Sequence, residues 1–200
     1  MIKTVIFDID NTLYSYDKNH VYGMEALAAY CETAFGITAK EMKNCYSRAG
    51  RIMTDRIGTD TAAIHSRMIR MQCMLELLEQ PLFPHARNMY HAYWDTFIEH
   101  IEPNPGVLKF MQELKKRKIR IGIGTDMTAY IQYRKLEAIG AAPYIDFIVT
   151  SEEAGIEKPH AHFFDICVEK AGVCAEECAF IGDHVKKDIE GAWESGLKGI

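Results

Sequence analysis

The sequence predicts an α/β protein, a parallel sheet flanked by helices and interrupted once by a block of helices. From Pro103 to the C-terminus, helical and strand-like segments alternate, the pattern of parallel strands joined by crossover helices. Between about residues 22 and 101 no convincing strand appears, and apolar residues recur at helical spacing. Far upstream, Lys3-Thr4-Val5-Ile6-Phe7 is short, β-branched and apolar and ends on acids, which suits a buried strand completing the sheet. The expected division is a core of residues 1–13 and 103–200 and an insert of residues 14–102.

In the insert, the alanine-rich run Met24 to Ala34 predicts a helix. Thr38 predicts the N-cap of the next, with Glu41 at the reciprocal capping-box position. A long periodic stretch from Thr61 to Leu78 puts Ile64, Met68, Met71 and Leu75 on one face. Met68, Met71 and Met74 are expected in the insert's core rather than on a ligand surface. Pro81 and Pro84 then break the chain before a helix from about His85 to Ile101. Downstream the reading is helix 106–117, strand 119–125, helix 128–138, strand 146–150, helix 160–171, strand 178–182 and helix 185–195.

Composition narrows the classes. The 200 residues, 48% apolar, suit one sizeable domain or a core with an insert. A net charge of −5 argues against a nucleic-acid polymer as partner. The cationic run Lys115-Lys116-Arg117-Lys118 closes a helical pattern, where it complements the helix dipole. No segment is apolar for long enough to cross a bilayer. Met1 passes almost directly into a strand, so a cytoplasmic setting is expected. The six cysteines form no C-x-x-C pair. Cys174 and Cys178 flank a turn and could pair or bind metal, but reduced thiols are the expectation.

Polar residues gather where strands end. Asp8 and Asp10 follow the first strand, Thr125 and Asp126 the second, Lys158 lies on the loop after the third, and Asp183 and Asp188 follow the fourth. In an open parallel sheet, ligands bind in the crevice at those ends. Carboxylates converging there repel, at about 4 kcal/mol for a pair 4 Å apart at an effective dielectric of 20. A divalent cation relieves this, and oxygen ligands with room for water suit Mg²⁺. Lys158 and the Thr125 hydroxyl add a positive charge and a donor for an anion beside the metal. The set describes phosphoryl transfer.

These residues resemble the four motifs of the haloacid dehalogenase-like hydrolase superfamily. Asp8-Ile9-Asp10-Asn11-Thr12 is similar to its D-x-D-x-T motif and Thr125 to the second. Lys158 in Glu157-Lys158-Pro159 is similar to the third, and Gly182-Asp183-His184-Val185-Lys186-Lys187-Asp188 to G-D-x-x-x-x-D. Order and strand placement agree. The resemblance implies a Rossmann-like core with an inserted helical cap of the C1 type, and a further strand beginning near Gly199-Ile200.

It also implies roles. Asp8 is the nucleophile that forms an aspartyl-phosphate. Asp10 protonates the leaving oxygen and then takes a proton from water. Mg²⁺ is held by Asp8, Asp183 and the backbone carbonyl of Asp10, supported by Asp188. Thr125 and Lys158 hold the transferring oxygens, with backbone N–H groups near Asn11 and Asp126. The family's dehalogenases lack an acid at the Asp10 position, since halide leaves without a proton; Asp10 therefore points to phosphate esters.

The expected activity is hydrolysis of a small phosphorylated metabolite: a nucleotide, a sugar phosphate or phosphoglycolate. Tyr14, which closes the first motif, resembles that motif in certain nucleotidases of the family. A sugar phosphomutase using the same site is the alternative, and a phospho-aspartate signalling switch is the reading from another class. Tyr14 and Tyr16 either border the substrate or pack at the hinge. Arg48, Arg51 and Arg56 are candidates for a second anionic group, against the commoner role of solvated helix arginines. His160 and His162 are weak metal candidates because imidazole suits Mg²⁺ poorly. His184 either contacts the leaving group or fills space.

Overall fold

The structure, a computed structural model, describes residues 1–200. The chain divides into two compact units, one of Met1–Tyr16 with Ile101–Ile200 and the other of Asp17–His100.

The first unit is built on five parallel strands: β1 (Thr4–Phe7), β2 (Arg120–Thr125), β3 (Phe147–Thr150), β4 (Cys178–Ile181) and β5 (Lys198–Gly199). Their order is β3-β2-β1-β4-β5. Each residue of β1 is buried, as a central strand covered on both faces must be. Its register sets Phe7 against Ile123 on one side and Ile181 on the other, so the next residue, Asp8, leaves the sheet between two neighbouring strand ends. The pair β4 and β5 realises the implied further strand, with Ala179 opposite Lys198.

Strand β2 alternates Ile121-Gly122-Ile123-Gly124. The isoleucines are fully buried, while the glycines open the other face to rings. A Cβ on Gly122 would lie 2.2 Å from Cζ of Phe147, and one on Gly124 2.6 Å from Cε2 of Phe180. Phe180 meets Phe164 at 5.3 Å and Phe164 meets Phe163 at 5.6 Å, all edge-on, the arrangement ring quadrupoles favour. Helices α5 (Val107–Lys116), α6 (Ala129–Ala138), α7 (Ser151–Ala154), α8 (Ala161–Ala171) and α9 (Gly191–Glu194) complete the unit. The basic run at the end of α5 is ion-paired in part, Lys115 to Asp146 and Lys116 to Glu113, both at 2.7 Å.

The last expected helix differs. Residues Val185–Glu190 form a π-turn, and only Gly191–Glu194 are α-helical. The Gly191 N–H reaches back to the Lys186 carbonyl, five residues away, so the wider turn carries one residue more than α-helical periodicity allows.

The second unit is helical: α1 (Tyr16–Phe35, whose first residue belongs to the sheet unit), α2 (Ala39–Ile57), α3 (Arg67–Leu77) and α4 (His85–Glu99). The Thr38 capping box is present, with the hydroxyl accepting from the Glu41 N–H and Glu41 accepting from the Thr38 N–H. Met42, Ala49 and Met53 of α2 are fully buried, as are Met71, Met74 and Leu75 of α3. Gly23 lets α1 approach α4, since a Cβ there would lie 2.8 Å from the Tyr93 ring.

The single helix expected over Thr61–Leu78 is instead a 3₁₀ turn, Ala62–His65, followed by α3. Ser66 explains the break: its hydroxyl accepts from the Ile69 N–H and starts a new helix. The expected face is accordingly only half right. Met71 and Leu75 are buried, Ile64 is partly so, and Met68 is 38% exposed. All six cysteines are free, Cys174 and Cys178 included.

Gly122→Ala should place a methyl inside the Phe147 ring and cost about 1–3 kcal/mol, the usual range for overpacking. A lowered urea midpoint with unchanged slope checks this.

Candidate active site

Asp8 sits just past β1, and its N–H is held by the Ile181 carbonyl at 2.9 Å. Its carboxylate is buried against Lys158. The Lys158 ammonium, 4% exposed as a residue, donates to Asp8 Oδ1 at 2.8 Å, Asp188 Oδ1 at 2.7 Å and the Gly124 carbonyl at 3.2 Å. All three of its protons are thereby used. Asp8 Oδ2 has a longer contact, 3.4 Å, from the Thr12 hydroxyl.

Asp188 comes from the π-turn and is also buried. Its second oxygen accepts from the His184 N–H at 3.0 Å. Gly182 makes the approach feasible, because a Cβ there would lie 2.4 Å from Asp188 Cγ. Asp183, exposed, completes the group: Asp8, Asp183 and Asp188 each offer a carboxylate oxygen within 4.8 Å of the others.

The electrostatics of this group are unbalanced. Burial pushes the Asp8 carboxyl up to about 7, with Asp188 and Asp10 adding repulsion against the pull of Lys158. Asp183 is raised too, by burial and then by Asp188. Burial opposes the charge on Lys158, but Asp8 and Asp188 more than offset it and keep the lysine protonated. One cation among three carboxylates leaves a deficit of positive charge. An oxygen-only donor set with that deficit fits a hard divalent cation.

Asp10 stands apart from this group. Its carboxylate takes both oxygens to Lys135 Nζ, at 2.7 and 2.9 Å, accepts from Gln132 Nε2 at 3.3 Å and receives the Tyr14 hydroxyl. Burial alone would raise its pKa, but Lys135 outweighs that, with Tyr14 and Gln132 assisting, and holds it below the usual carboxylate range. Two carboxyls two residues apart are thus driven in opposite directions. Of the four residues expected around a metal, three bring carboxylates together; the carboxylate of Asp10 is engaged elsewhere, and only its main chain could join them.

The phosphate-binding candidates are placed as follows. Thr125, buried at the end of β2, donates to the Asp126 carbonyl at 3.1 Å and accepts from Gln132 Nε2 at 2.6 Å. Asp126 uses its side chain structurally, accepting from the Lys158 N–H at 3.0 Å and from Lys187 Nζ at 2.8 Å. Asn11 adopts a left-handed conformation, φ 62°, which asparagine tolerates, and its Oδ1 accepts from the Tyr16 N–H at 2.8 Å. The Asn11 and Asp126 side chains therefore shape the loops, and main-chain groups are what they can offer an anion.

His160 and His184 serve as helix caps, through Nδ1 accepting from His162 N–H and Lys187 N–H, each at 3.2 Å; His162 is not among the clustered metal-ligating groups. Tyr14 is fully buried. Arg56 is taken by Glu76 at 2.8 Å.

The sequence reading missed Lys135 and Gln132. The available signal was a glutamine and a lysine at i and i+3 on α6, the helix leaving the second motif; in the structure Lys135 is completely buried. A buried lysine implies a carboxylate partner, but its burial is not visible in sequence.

The model of haloacid dehalogenase-like hydrolases matches residues 2–196. A ribulose-1,5-bisphosphate 5-phosphatase of Halopiger xanaduensis is 33% identical, aligned over all of this chain and 84% of its own. A glyceraldehyde 3-phosphate phosphatase of Methanocaldococcus jannaschii is 30% identical over 98% of this chain and 83% of its own. The solved 2-haloacid dehalogenase of Pseudomonas syringae pv. Tomato DC3000 shares the fold with a TM-score of 0.79, at 22% identity over all of this chain and 85% of that one.

Gly182→Ala should push Asp188 from its place and lower divalent-cation affinity at least tenfold, measurable by calorimetry. Lys135→Met should destabilise the protein by about 3 kcal/mol, the lower end for a buried ion pair broken on one side, because Asp10 keeps 28% exposure. A depressed carboxyl pKa stabilises the fold above the unfolded value and stops doing so as pH falls through the folded one. The gap between wild type and variant should therefore close in acid, as read from urea midpoints at pH 7 and below pH 3.8.

Proposed function

This chain belongs to the haloacid dehalogenase-like hydrolase family and is a phosphoric monoester hydrolase, and we propose that it cleaves small sugar phosphates with Mg²⁺ through an aspartyl-phosphate on Asp8. The observation that carries the reading is the pairing of Asp8 with Lys158 beside Asp183 and Asp188, while a second acid, Asp10, is held separately. Asp8, Asp183 and Asp188 are the residues that would hold the cation, which supplies charge neutralisation for the nucleophile and the phosphoryl oxygens.

The residues then divide the work. Lys158 fixes Asp8 through Oδ1 and places a positive charge where phosphoryl oxygens collect. Asp8 attacks phosphorus; its O–P bond forms as the ester P–O bond breaks, and Asp10 gives a proton to the departing oxygen. Water next attacks the same phosphorus, Asp10 accepts its proton, and Asp8 is released with inorganic phosphate. Lys135 favours the ionised Asp10 needed in that second step. A phosphate dianion arriving beside Asp10 raises its proton affinity for the first step, as like charge does for any carboxyl. The Thr125 hydroxyl must turn from the Asp126 carbonyl to reach a phosphoryl oxygen.

The sugar phosphate class is supported by the relatives that hydrolyse ribulose 1,5-bisphosphate and glyceraldehyde 3-phosphate. Residues 14–102 are assigned the role of cap, with substrate choice residing there.

Purified protein should release phosphate from glyceraldehyde 3-phosphate or ribulose 1,5-bisphosphate faster than from nucleotides, and chelation should stop it. Asp8→Asn should abolish turnover. Asp10→Asn should lose roughly 10²–10⁴-fold on alkyl phosphates, the usual contribution of acid–base catalysis, and far less on p-nitrophenyl phosphate, whose leaving group needs no proton. Full turnover by Asp8→Asn would sink the mechanism, and formation of an isomeric sugar phosphate without free phosphate would indicate a mutase.

A further inference from the structure

The helical unit contains a groove of about 510 Å³ between α2 and α3, within the volume range of small-molecule sites. Arg51 and Arg70 line it together with Ser47 and Asp55. Neither arginine forms an ion pair, and Asp55, exposed on the wall, is paired with neither. Arg70 lies over the Tyr46 ring, its guanidinium carbon 4.7 Å from the centroid. Its Nε–H is buried without an acceptor, as is the Tyr46 hydroxyl. Buried donors left unpaired cost free energy and call for an explanation.

Gly50 supplies a second sign that this arginine is deliberately seated. It lies inside α2, where glycine is about 1 kcal/mol worse than alanine. A Cβ there would meet Arg70 Nη2 at 3.0 Å, so the glycine lets the guanidinium lie close against the helix, and a side chain would oblige it to shift by a few tenths of an ångström. A local rule is broken with a specific consequence, the usual mark of a functional position. A further guanidinium, that of Arg67, lies 6.0 Å from the Tyr46 centroid; burial first, then Arg67 and Arg70, push the nearby His20 down to about 4 against the opposing pull of Asp17. Arg51 reaches the Ser47 hydroxyl at 3.4 Å, which leaves that hydroxyl's own proton to donate.

We propose that this groove is an oxyanion-binding site in which Arg51 and Arg70, with the Ser47 hydroxyl, take a phosphate or carboxylate group. A planar guanidinium recognises such groups through paired, charge-assisted hydrogen bonds. The same chemistry would be offered by free inorganic phosphate or by the second acidic group of a substrate, and the two are separable.

The test titrates the full chain with inorganic phosphate at constant ionic strength, following the Gly50 amide and the Arg70 Nε–H by NMR. Saturable shifts are expected, weakened at least tenfold by Arg51→Gln and removed by Arg70→Met. Non-saturable shifts, or shifts unchanged in Arg51→Gln, would overturn the proposal; Arg51 is exposed, so that variant keeps the test valid if Arg70→Met fails to fold. A kinetic arm, which rests on the phosphatase reading, then identifies the source. If Arg51→Gln raises KM for ribulose 1,5-bisphosphate several-fold and leaves kcat and p-nitrophenyl phosphate turnover unchanged, the ligand is the substrate's second phosphate. If binding is lost and both KM values stand, the ligand is free phosphate.

Discussion

Burying the Lys158 ammonium between Asp8 and Asp188 is the constraint around which the sheet unit is organised. A lysine taken from water is tolerable only if each of its protons is received, and here two carboxylates and the Gly124 carbonyl receive them. The three acceptors come from the ends of β1 and β2 and from the turn after β4. The ammonium can be satisfied only when those ends are in register. The pairing of Phe7 with both Ile123 and Ile181 provides that register, so sheet order and site geometry are one requirement. The loop before α8 is fixed by the same logic, because the main-chain N–H of Lys158 is also held, by Asp126.

Glycine and the π-turn make the remaining adjustment. Asp188 must reach inward to Lys158 from a segment that also has to continue as a helix. Gly182 removes the Cβ that would collide with it, and the extra residue in the turn at Val185–Glu190 absorbs the mismatch before α9 begins. Both features depart from ideal local structure, and both occur within a few residues of the carboxylates, where departures are expected to concentrate.

Much of this was legible in sequence, for identifiable reasons. Parallel strands buried on both faces read as apolar runs, so β1 to β4 fell within a residue or two of expectation, and the motif residues followed because each lies at a strand end or on the segment after one. The Thr38 capping box was equally plain, being an interaction among neighbours. The misses are non-local or one-residue effects. A serine at 66 that restarts a helix is indistinguishable by periodicity from one that merely sits in it. The π-turn has no apolar signature. Nothing local sets Lys135 apart from other helix lysines, and only its complete burial against Asp10 reveals its part.

The separation of Asp8 from Asp10 bears on how one short motif could carry the two roles proposed for it. A nucleophile must be ionised and a proton donor must exchange its proton, yet the two acids are only two residues apart. The period of an extended chain would turn both side chains to the same face. The chain avoids this by leaving the sheet after Phe7 and entering the left-handed turn at Asn11, pinned by the Asn11 contact with the Tyr16 N–H. Asp8 is thereby given to Lys158 and Asp10 to Lys135. The two lysines act with different force. Lys158 is shared with Asp188, so Asp8 remains raised and in need of further positive charge; Lys135 binds both oxygens of Asp10 and holds it low. A divalent cation beside Asp8 would correct the first imbalance, and an incoming phosphate dianion would act on the second. Each acid would then be completed by a different component of the proposed reaction, which is the physical reason for proposing different roles for them.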